Sequence, residues 1–265
     1  SMSIFPLPAI LFLKYFYRVK FIFEIRDLWP LTPIQMKKIS KWNPMILIIS
    51  KLEKIAYRCA DKIVTTLENS QSYINSIIDD SQKTKYIPNG VPESFIQIKP
   101  IKPTKKISSN KVVFTYGGSF GIANALGPLI NFLENQNELS NKIEFNLIGS
   151  GYLKKQYKSR ISQMNNVCFE EKMEREAFIK KLKESDVAFI SWMDLPGLYK
   201  YGVSAQKYYD YMATGTPILS AQNGINDPVR QSGCGIIVKN EPEEIKKGIY
   251  QFLSMSKSER EKMGE

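Results

Sequence analysis

The sequence predicts an α/β protein with two doubly wound parallel-sheet domains, the first of them partial. Three observations carry this. Short apolar, β-branched runs alternate with stretches patterned as helices of about 10–15 residues, the rhythm of βαβ units. Glycine-rich turns follow two of the predicted strands, at Gly117-Gly118 and at Gly149-Ser150-Gly151. Between the halves lies Lys99–Lys111, KPIKPTKKISSNK, with five Lys, two Pro and no acid; such a stretch cannot bury enough apolar surface to pack and reads as a linker. The predicted boundaries are therefore 1–98 for the first domain, 99–111 for the linker and 112–265 for the second.

Composition bounds the chemistry. The chain has 265 residues, 43% of them hydrophobic and 24% charged, which is the balance of a folded globular protein and excludes disorder as the dominant state. Three cysteines, Cys59, Cys168 and Cys234, are too few and too far apart for a disulfide framework and fit a reducing compartment. There is no histidine. That excludes Ser–His–Asp triads, HExxH zinc sites and any His general base, so no metal site is expected. The formal net charge is +11. An excess of this kind attracts phosphorylated substrates, anionic lipid or nucleic acid, and it is equally what a Lys-rich composition produces without function.

The elements follow in order. Ser1 before Met2 is set aside as foreign to the fold. Ile4–Leu13 is apolar but too short to span a bilayer, which takes about 20 residues. It reads either as a buried helix feeding a strand or, with Phe16, Tyr17, Arg18 and Lys20 behind it, as a membrane-docking face. Val19–Ile25 is a strand. Asn43-Pro44 opens a helix to Cys59, with Asn at the cap and Pro at the first helical position. Lys62–Thr66 is a strand, Asn69–Asp79 a helix, Lys85–Ile87 a short strand, and Pro88-Asn89-Gly90 a turn. Past the linker, strands are expected at Lys111–Tyr116, Ile143–Ile148, Val167–Glu170, Val187–Ser191, Pro217–Ser220 and Gly235–Val238. Helices are expected from the first glycine turn to about Asn137, after Gly151, over Arg175–Glu184, over Ala205–Thr214 and over Glu241–Gly264.

In open α/β sheets ligands bind beyond the carboxyl ends of the strands, so the loops after Tyr116, Ile148, Glu170, Ser191 and Ser220 are where a site belongs. The turns in TYGGSFGIANALG and IGSGYLKK suit phosphate approach to backbone, and suit tight βα packing equally well. Neither has the GxGxxG or P-loop spacing. In YGVSAQKYYDYMATGTPILSA, small residues lead into a helix whose first turn carries Lys207. A cation there opposes the helix dipole unless it meets an anion. Asp210, three residues on, could take two sugar hydroxyls or form a surface pair with Lys207. In FEIRDLWP, Arg26 and Asp27 sit at a strand's end, either as a buried pair holding a loop or at the functional edge of the sheet.

Taken in order, these motifs resemble family 4 glycosyltransferases of the GT-B fold, especially the sugar transferases of bacterial O-antigen and capsule synthesis that handle aminosugars. FEIRDLWP resembles their E-x-R-D-x-W-P segment, IPNGV their PNGVD turn, YGGSFGIANAL their YAGNLGxAQGL, IGSG their xGxGP, and YGVSAQKYYDYMATGTPIL their GVSPNKLFDYMAAGKPVL. The resemblance runs through nearly the whole chain. It implies two Rossmann-like domains and a nucleotide-diphospho-sugar donor, UDP-linked, bound by the second. It implies transfer with retention, and no metal or other cofactor. By the same resemblance Gly118 and Ser119 lie near the donor phosphates, and Glu171, Lys172 and Met173 lie where the base is held. Ser204, Ala205 and Gln206 offer backbone amides to the diphosphate, Lys207 neutralises the leaving nucleotide, and Asp210 holds ribose. Arg26 and Asp27 handle acceptor or sugar from the first domain.

The departures are specific. The first acid of the family's E-x7-E pattern falls at Gly202, and the usual Arg/Lys pair after the glycine turn is replaced by Ser119 and small or apolar residues. Against the family the sequence is shorter at both ends, which implies either a truncated enzyme or one half of a split one. The expected partners are the donor, a lipid-linked or surface-polysaccharide acceptor, a membrane surface, and a second chain or second copy. The expected location is cytoplasmic, peripheral on the inner face of the bacterial cytoplasmic membrane. The competing reading is a donor-binding but inactive fragment or subunit. Nucleic acid is not an expected partner, because no RNA-binding motif accompanies the charge.

Overall fold

The computed structural model describes residues 4–97, 111–222 and 227–265. The expected linker, Lys111 apart, lies outside the described residues. Two compact units emerge. One takes the described residues up to Asn89 together with Leu195–Ala205 and Asp227; the other takes the remainder from Gly90 onward. Among the described residues there are two all-parallel sheets, of three and six strands.

The first unit opens with α1 (Leu7–Tyr17), β1 (Ile22–Ile25), α2 (Leu31–Lys37) and α3 (Pro44–Cys59). It continues with β2 (Lys62–Thr65), α4 (Ser70–Asn75) and β3 (Thr84–Tyr86), and the strands lie in the order β1-β2-β3. β1 starts three residues later than its apolar run, because its ladder begins opposite Lys62. Asp61, just before β2, accepts the Phe21 N–H at 2.7 Å and the Lys14 ammonium at 2.6 Å, which sets that start. α3 begins as its sequence dictates: Asn43 Oδ1 accepts the Met45 N–H at 2.9 Å and Pro44 stands at the first helical position. α4 stops at Asn75, short of its expected end. The core is built on Phe21, Ile25, Leu28, Ile49, Ala56, Tyr57, Ile63 and Ile74. The expectation of a buried N-terminal helix is corrected. Of α1 only Leu7 is buried, because the helix packs against α3 and reaches the core with a single stripe, Leu7-Ile10-Leu11.

One charged group is enclosed in that core. Glu53 is 3% exposed and accepts the hydroxyls of Tyr57 at 2.8 Å and Tyr73 at 3.1 Å. Burial raises its carboxyl from 4.5 to about 7, against the pull of both hydroxyls.

The second unit runs α5 (Glu93–Ile96), β4 (Val112–Gly117), α6 (Gly127–Glu134), β5 (Ile143–Ile148), α7 (Lys154–Arg160), β6 (Val167–Glu170), α8 (Arg175–Lys183) and β7 (Val187–Ser191). After α9 (Pro196–Tyr199), which belongs to the first unit, come α10 (Gln206–Met212), β8 (Ile218–Ala221), α11 (Pro228–Ser232), β9 (Gly235–Val238), α12 (Pro242–Ser254) and α13 (Lys257–Gly264). The strand order β6-β5-β4-β7-β8-β9 reverses direction between β4 and β7, so the topological switch point lies at their carboxyl ends. Phe114, Phe145 and Phe189 fill the centre of the sheet core, with Phe114 and Phe145 stacked at 4.9 Å.

Two helices differ from expectation for local reasons. The one after the first glycine turn is delayed to Gly127, because Ile122–Asn124 forms a 3-10 turn that ends on Ala125 in the left-handed region. The last is split, because Ser256 and Glu259 form a capping box that starts a new helix.

Glu53→Gln tests the buried carboxyl. A carboxyl whose folded pKa is raised stabilises most below its unfolded value of 4.5 and loses that contribution as pH rises through about 7. The amide has no such titration. The stability of the variant relative to wild type should therefore climb between pH 5 and pH 8, by up to about 3 kcal/mol. Parallel denaturation curves across that range would show that Glu53 does not bury its charge.

Candidate functional site

A cavity of about 550 Å³ opens at the switch point of the six-stranded sheet. Its floor is made by the turns after β4 and β5. Gly118 has φ +151° and Gly149 has φ +143°, and a Cβ on Gly149 would sit 1.8 Å from the Gly118 carbonyl oxygen. The two turns therefore meet backbone to backbone, and the Gly118 N–H donates to the Ile148 carbonyl at 3.0 Å. Tyr211, from α10, holds the first turn from beneath: its hydroxyl accepts the Gly117 N–H at 2.8 Å and donates to the Gly117 carbonyl at 3.2 Å. Lys154, from α7, binds the Gly149 carbonyl at 2.8 Å, the Glu170 carbonyl at 2.7 Å and the Glu171 carboxylate at 2.8 Å, tying the loops after β5 and β6 together.

Lys207 faces this cavity. It does not pair with Asp210. Its ammonium donates to Asn124 Oδ1 at 2.7 Å and lies 4.8 Å from the Tyr116 ring and 4.6 Å from the Trp192 ring. A Cβ on Gly118 would stand 2.9 Å from its Nζ, so the glycine keeps the space beside the charge open. Enclosure lowers the lysine to about 7, with desolvation as the cause. Asn124 is itself oriented: its Nδ2 donates to the Ser119 carbonyl at 2.8 Å, and its own carbonyl accepts Ser191 Oγ at 2.6 Å. Tyr116 Oη donates to the same Ser119 carbonyl at 2.8 Å.

Asp210 is only 8% exposed and already engaged. The Arg175 guanidinium grips both its oxygens, with Nε at 3.1 Å from Oδ2, and Gln206 Nε2 donates to Oδ1 at 3.2 Å. Arg175 in turn lies over the Phe95 ring at 4.6 Å. Besides Lys172 and Glu174, the lining thus contains a carboxylate neutralised by Arg175 and an enclosed ammonium held by an amide oxygen and two ring faces.

Of the residues singled out in the sequence, Gly118, Ser119, Lys172, Met173, Lys207 and Asp210 line the cavity together. Glu171 does not: its side chain is 87% exposed and turned to Lys154. Gln206 donates to the Gly90 carbonyl at 2.8 Å as well as to Asp210. Ser204 and Ala205 belong to the first unit, where Ser204 Oγ donates to Thr66 Oγ1 at 2.6 Å and accepts from Asn89 at 3.0 Å. Arg26 and Asp27, also in the first unit, follow β1; both are exposed, and Arg26 Nε donates to Glu24 at 2.7 Å rather than to Asp27. Sequence reasoning did not single out Arg175, Phe178, Asn124, Tyr116 or Trp192. Trp192 directly follows Ser191, one of the strand ends already marked, and Asn124 lies inside the YGGSFGIANAL motif.

No protein-family model matches the sequence, and no curated protein matches it. Solved structures do match its fold. HepE of Anabaena, solved with UDP-glucose, is 14% identical and superposes with a TM-score of 0.71 over 99% of this chain and 70% of its own. Sucrose-phosphate synthase of Thermosynechococcus elongatus is 13% identical, with a TM-score of 0.75 over 99% of this chain and 65% of its own. WaaG, a glycosyltransferase involved in lipopolysaccharide biosynthesis, is 11% identical, with a TM-score of 0.68 over 92% of this chain and 69% of its own.

The meeting of the two turns makes a sharp prediction. Gly149→Ala should cost at least about 2 kcal/mol, since it forces both a strained φ and a backbone clash. Gly127→Ala, at a helix start where an added Cβ meets nothing within 4 Å, should be neutral or slightly stabilising. Equal melting temperatures for the two variants would mean that the turns do not meet as described. With two parallel sheets, a six-stranded one reversing at β4 and β7, and these structural neighbours, the chain is an α/β protein of the GT-B type.

Proposed function

We propose that the chain is a glycosyltransferase that takes a sugar from a nucleotide-diphospho-sugar, UDP-linked, through the cavity of the second unit. The observation that carries the reading is Lys207. An ammonium enclosed by two aromatic faces, with an amide oxygen as its hydrogen-bond partner, is held at a cost that a bound anion would offset. The cavity beside it has the volume of a nucleotide site and glycine backbone on its floor. HepE, one of the matching structures, was solved with UDP-glucose.

In this reading the bond between the sugar's anomeric carbon and the diphosphate oxygen breaks, and the leaving UDP keeps the electron pair. The acceptor hydroxyl oxygen bonds to the anomeric carbon and its proton passes to the leaving diphosphate oxygen. Lys207 stabilises the charge that grows on the diphosphate, an interaction stronger in the transition state than in the bound donor. Gly118 and Ser119 let the phosphates approach, and Lys172 and Met173 border the base. Asp210 takes ribose by sharing or exchanging its contact with Arg175. Arg26 and Asp27 are assigned to the acceptor side. The acceptor is proposed as a lipid-linked or surface glycan in bacterial polysaccharide synthesis, the transferred sugar as an aminosugar, and the transfer as retaining and metal-independent.

A second reading is favoured by one observation: β1 is an edge strand with Ile22 exposed, a template for pairing with another chain. The chain would then bind donor but need a partner for turnover.

Calorimetric titration of UDP, GDP and dTDP without metal tests both readings. One nucleotide, UDP, should saturate. Lys207→Ala should weaken it at least about tenfold while leaving the melting temperature unchanged or raised, since it removes a desolvated charge. Absence of binding by all three would remove the donor-site assignment. UDP binding without transfer activity would select the second reading.

A further inference from the structure

Asp210 lines the donor cavity with its carboxylate already occupied. A carboxylate offers about four lone-pair positions. The Arg175 guanidinium forks across both oxygens, with Nε at 3.1 Å from Oδ2 and a terminal nitrogen on Oδ1, and Gln206 Nε2 takes a further position on Oδ1 at 3.2 Å. The ribose of a nucleotide brings two adjacent hydroxyls. Adjacent hydroxyls grip a carboxylate across the edge that joins its oxygens, the edge that the guanidinium fork covers. Release of Gln206 makes no room for them, because the outer positions of the two oxygens point away from one another. Seating both hydroxyls therefore takes Arg175 off Asp210. A single hydroxyl needs only the open position on Oδ2 and leaves the fork in place.

The surroundings of Arg175 give it somewhere to go. Its guanidinium lies over the Phe95 ring at 4.6 Å, a contact that does not depend on Asp210. Its side chain is 40% exposed, against 11% for that of Asp210, so the arginine is the partner with room to move. Arg175 opens α8, and Phe178, three residues on and on the same helical face, packs against the first glycine turn: a Cβ on Gly117 would stand 2.2 Å from its ring. The arginine thus stands on the helix face that covers this turn, in the cavity that Lys207 also lines. All of these residues belong to the second unit.

We propose that Arg175 is a second cation for the donor's diphosphate, released to it when both ribose hydroxyls take Asp210. In the empty site the ion pair keeps the guanidinium away from the phosphate seat. A nucleotide with a full ribose exchanges the partners: its hydroxyls bind the carboxylate, and the guanidinium turns on the Phe95 ring and forks onto phosphate oxygens. Ribose and phosphate recognition are then coupled, and the site prefers ribonucleotides to 2′-deoxyribonucleotides by more than one lost hydrogen bond. The inference rests on the donor-site reading above and adds to it a residue and a ligand preference.

The test is calorimetric titration of the full chain with UDP and 2′-deoxy-UDP, with uridine and 2′-deoxyuridine read by displacement of UDP. The gain in affinity from adding the diphosphate should be at least about fivefold larger on ribose than on deoxyribose. In Arg175→Gln the two gains should become equal, UDP should bind more weakly, and uridine should bind no more weakly. Comparing gains within one variant cancels any change in its stability. Arg175→Lys keeps the charge without the fork; it should shrink the difference while holding UDP more tightly than Arg175→Gln does, and it decides the question alone if the glutamine variant does not fold. Equal gains in the wild type, or an unequal pair that persists in both variants, would overturn the inference. So would loss of UDP and uridine by the same factor in Arg175→Gln, which would leave Arg175 only holding Asp210 in place. Absence of UDP binding by the wild type would overturn the donor reading as well, whereas UDP binding that needs Lys207 but shows equal gains would overturn this inference alone.

Discussion

An ammonium ion taken out of water must be repaid by something nearby, and in this protein the repayment at Lys207 is incomplete. Asn124 supplies one oxygen, and Tyr116 and Trp192 supply ring faces. These interactions contribute far less than a carboxylate would in the same enclosure. Much of the second unit's local architecture serves to hold that arrangement. Asn124 is fixed by Ser119 and Ser191, and Trp192 is anchored by the Tyr208 hydroxyl at 3.1 Å and by Asn240, which donates to its carbonyl at 2.9 Å. The one acid close in sequence, Asp210, is committed to Arg175 and so does not quench the lysine. In the proposed reading this lysine meets an anion, because no carboxylate among the described residues pairs with it.

The sheet explains why the cavity is where it is. Strand order reverses between β4 and β7, and the loops that leave those strands diverge, opening the only kind of crevice an open parallel sheet offers. The glycines then let two turns touch where any side chain would separate them, bringing backbone rather than side chains to the floor. The first unit is built differently. Its three strands leave β1 at an edge, and α1 covers the core with one stripe while turning aromatic side chains outward.

Much of this was legible in the sequence. Val187–Ser191 is apolar up to its last residue, the signature of a strand buried on both faces, and its bounds, like those of Ile143–Ile148, were readable to the residue. Asn43-Pro44 announced α3 because both signals act locally. Where tertiary contacts decide, the reading failed. Apolar character alone could not say that α1 would be mostly exposed, since that depends on what it packs against, here α3. Within the site, Gly118, Ser119, Lys172, Met173, Lys207 and Asp210, which line one cavity, were named through the family resemblance, with Gly118, Lys207 and Asp210 also standing out in the residues themselves. Arg175 was not, because its grip on Asp210 joins residues thirty-five positions apart on two helices, and no local pattern encodes that. The break at Ser256 is local, since Ser256 and Glu259 stand in the Ser-x-x-Glu spacing of a capping box.

The central claim is that Lys207 is poised near neutrality and becomes fully charged when an anion arrives. Its direct measurement is the proton balance of UDP binding at pH 8, by titration calorimetry in buffers of different ionisation enthalpy. At that pH UDP is itself fully ionised, while a lysine lowered to about 7 is mostly neutral. Binding should take up close to one proton, and the uptake should vanish in Lys207→Met. Binding of UDP without proton uptake, or with the same uptake in the variant, would contradict the account.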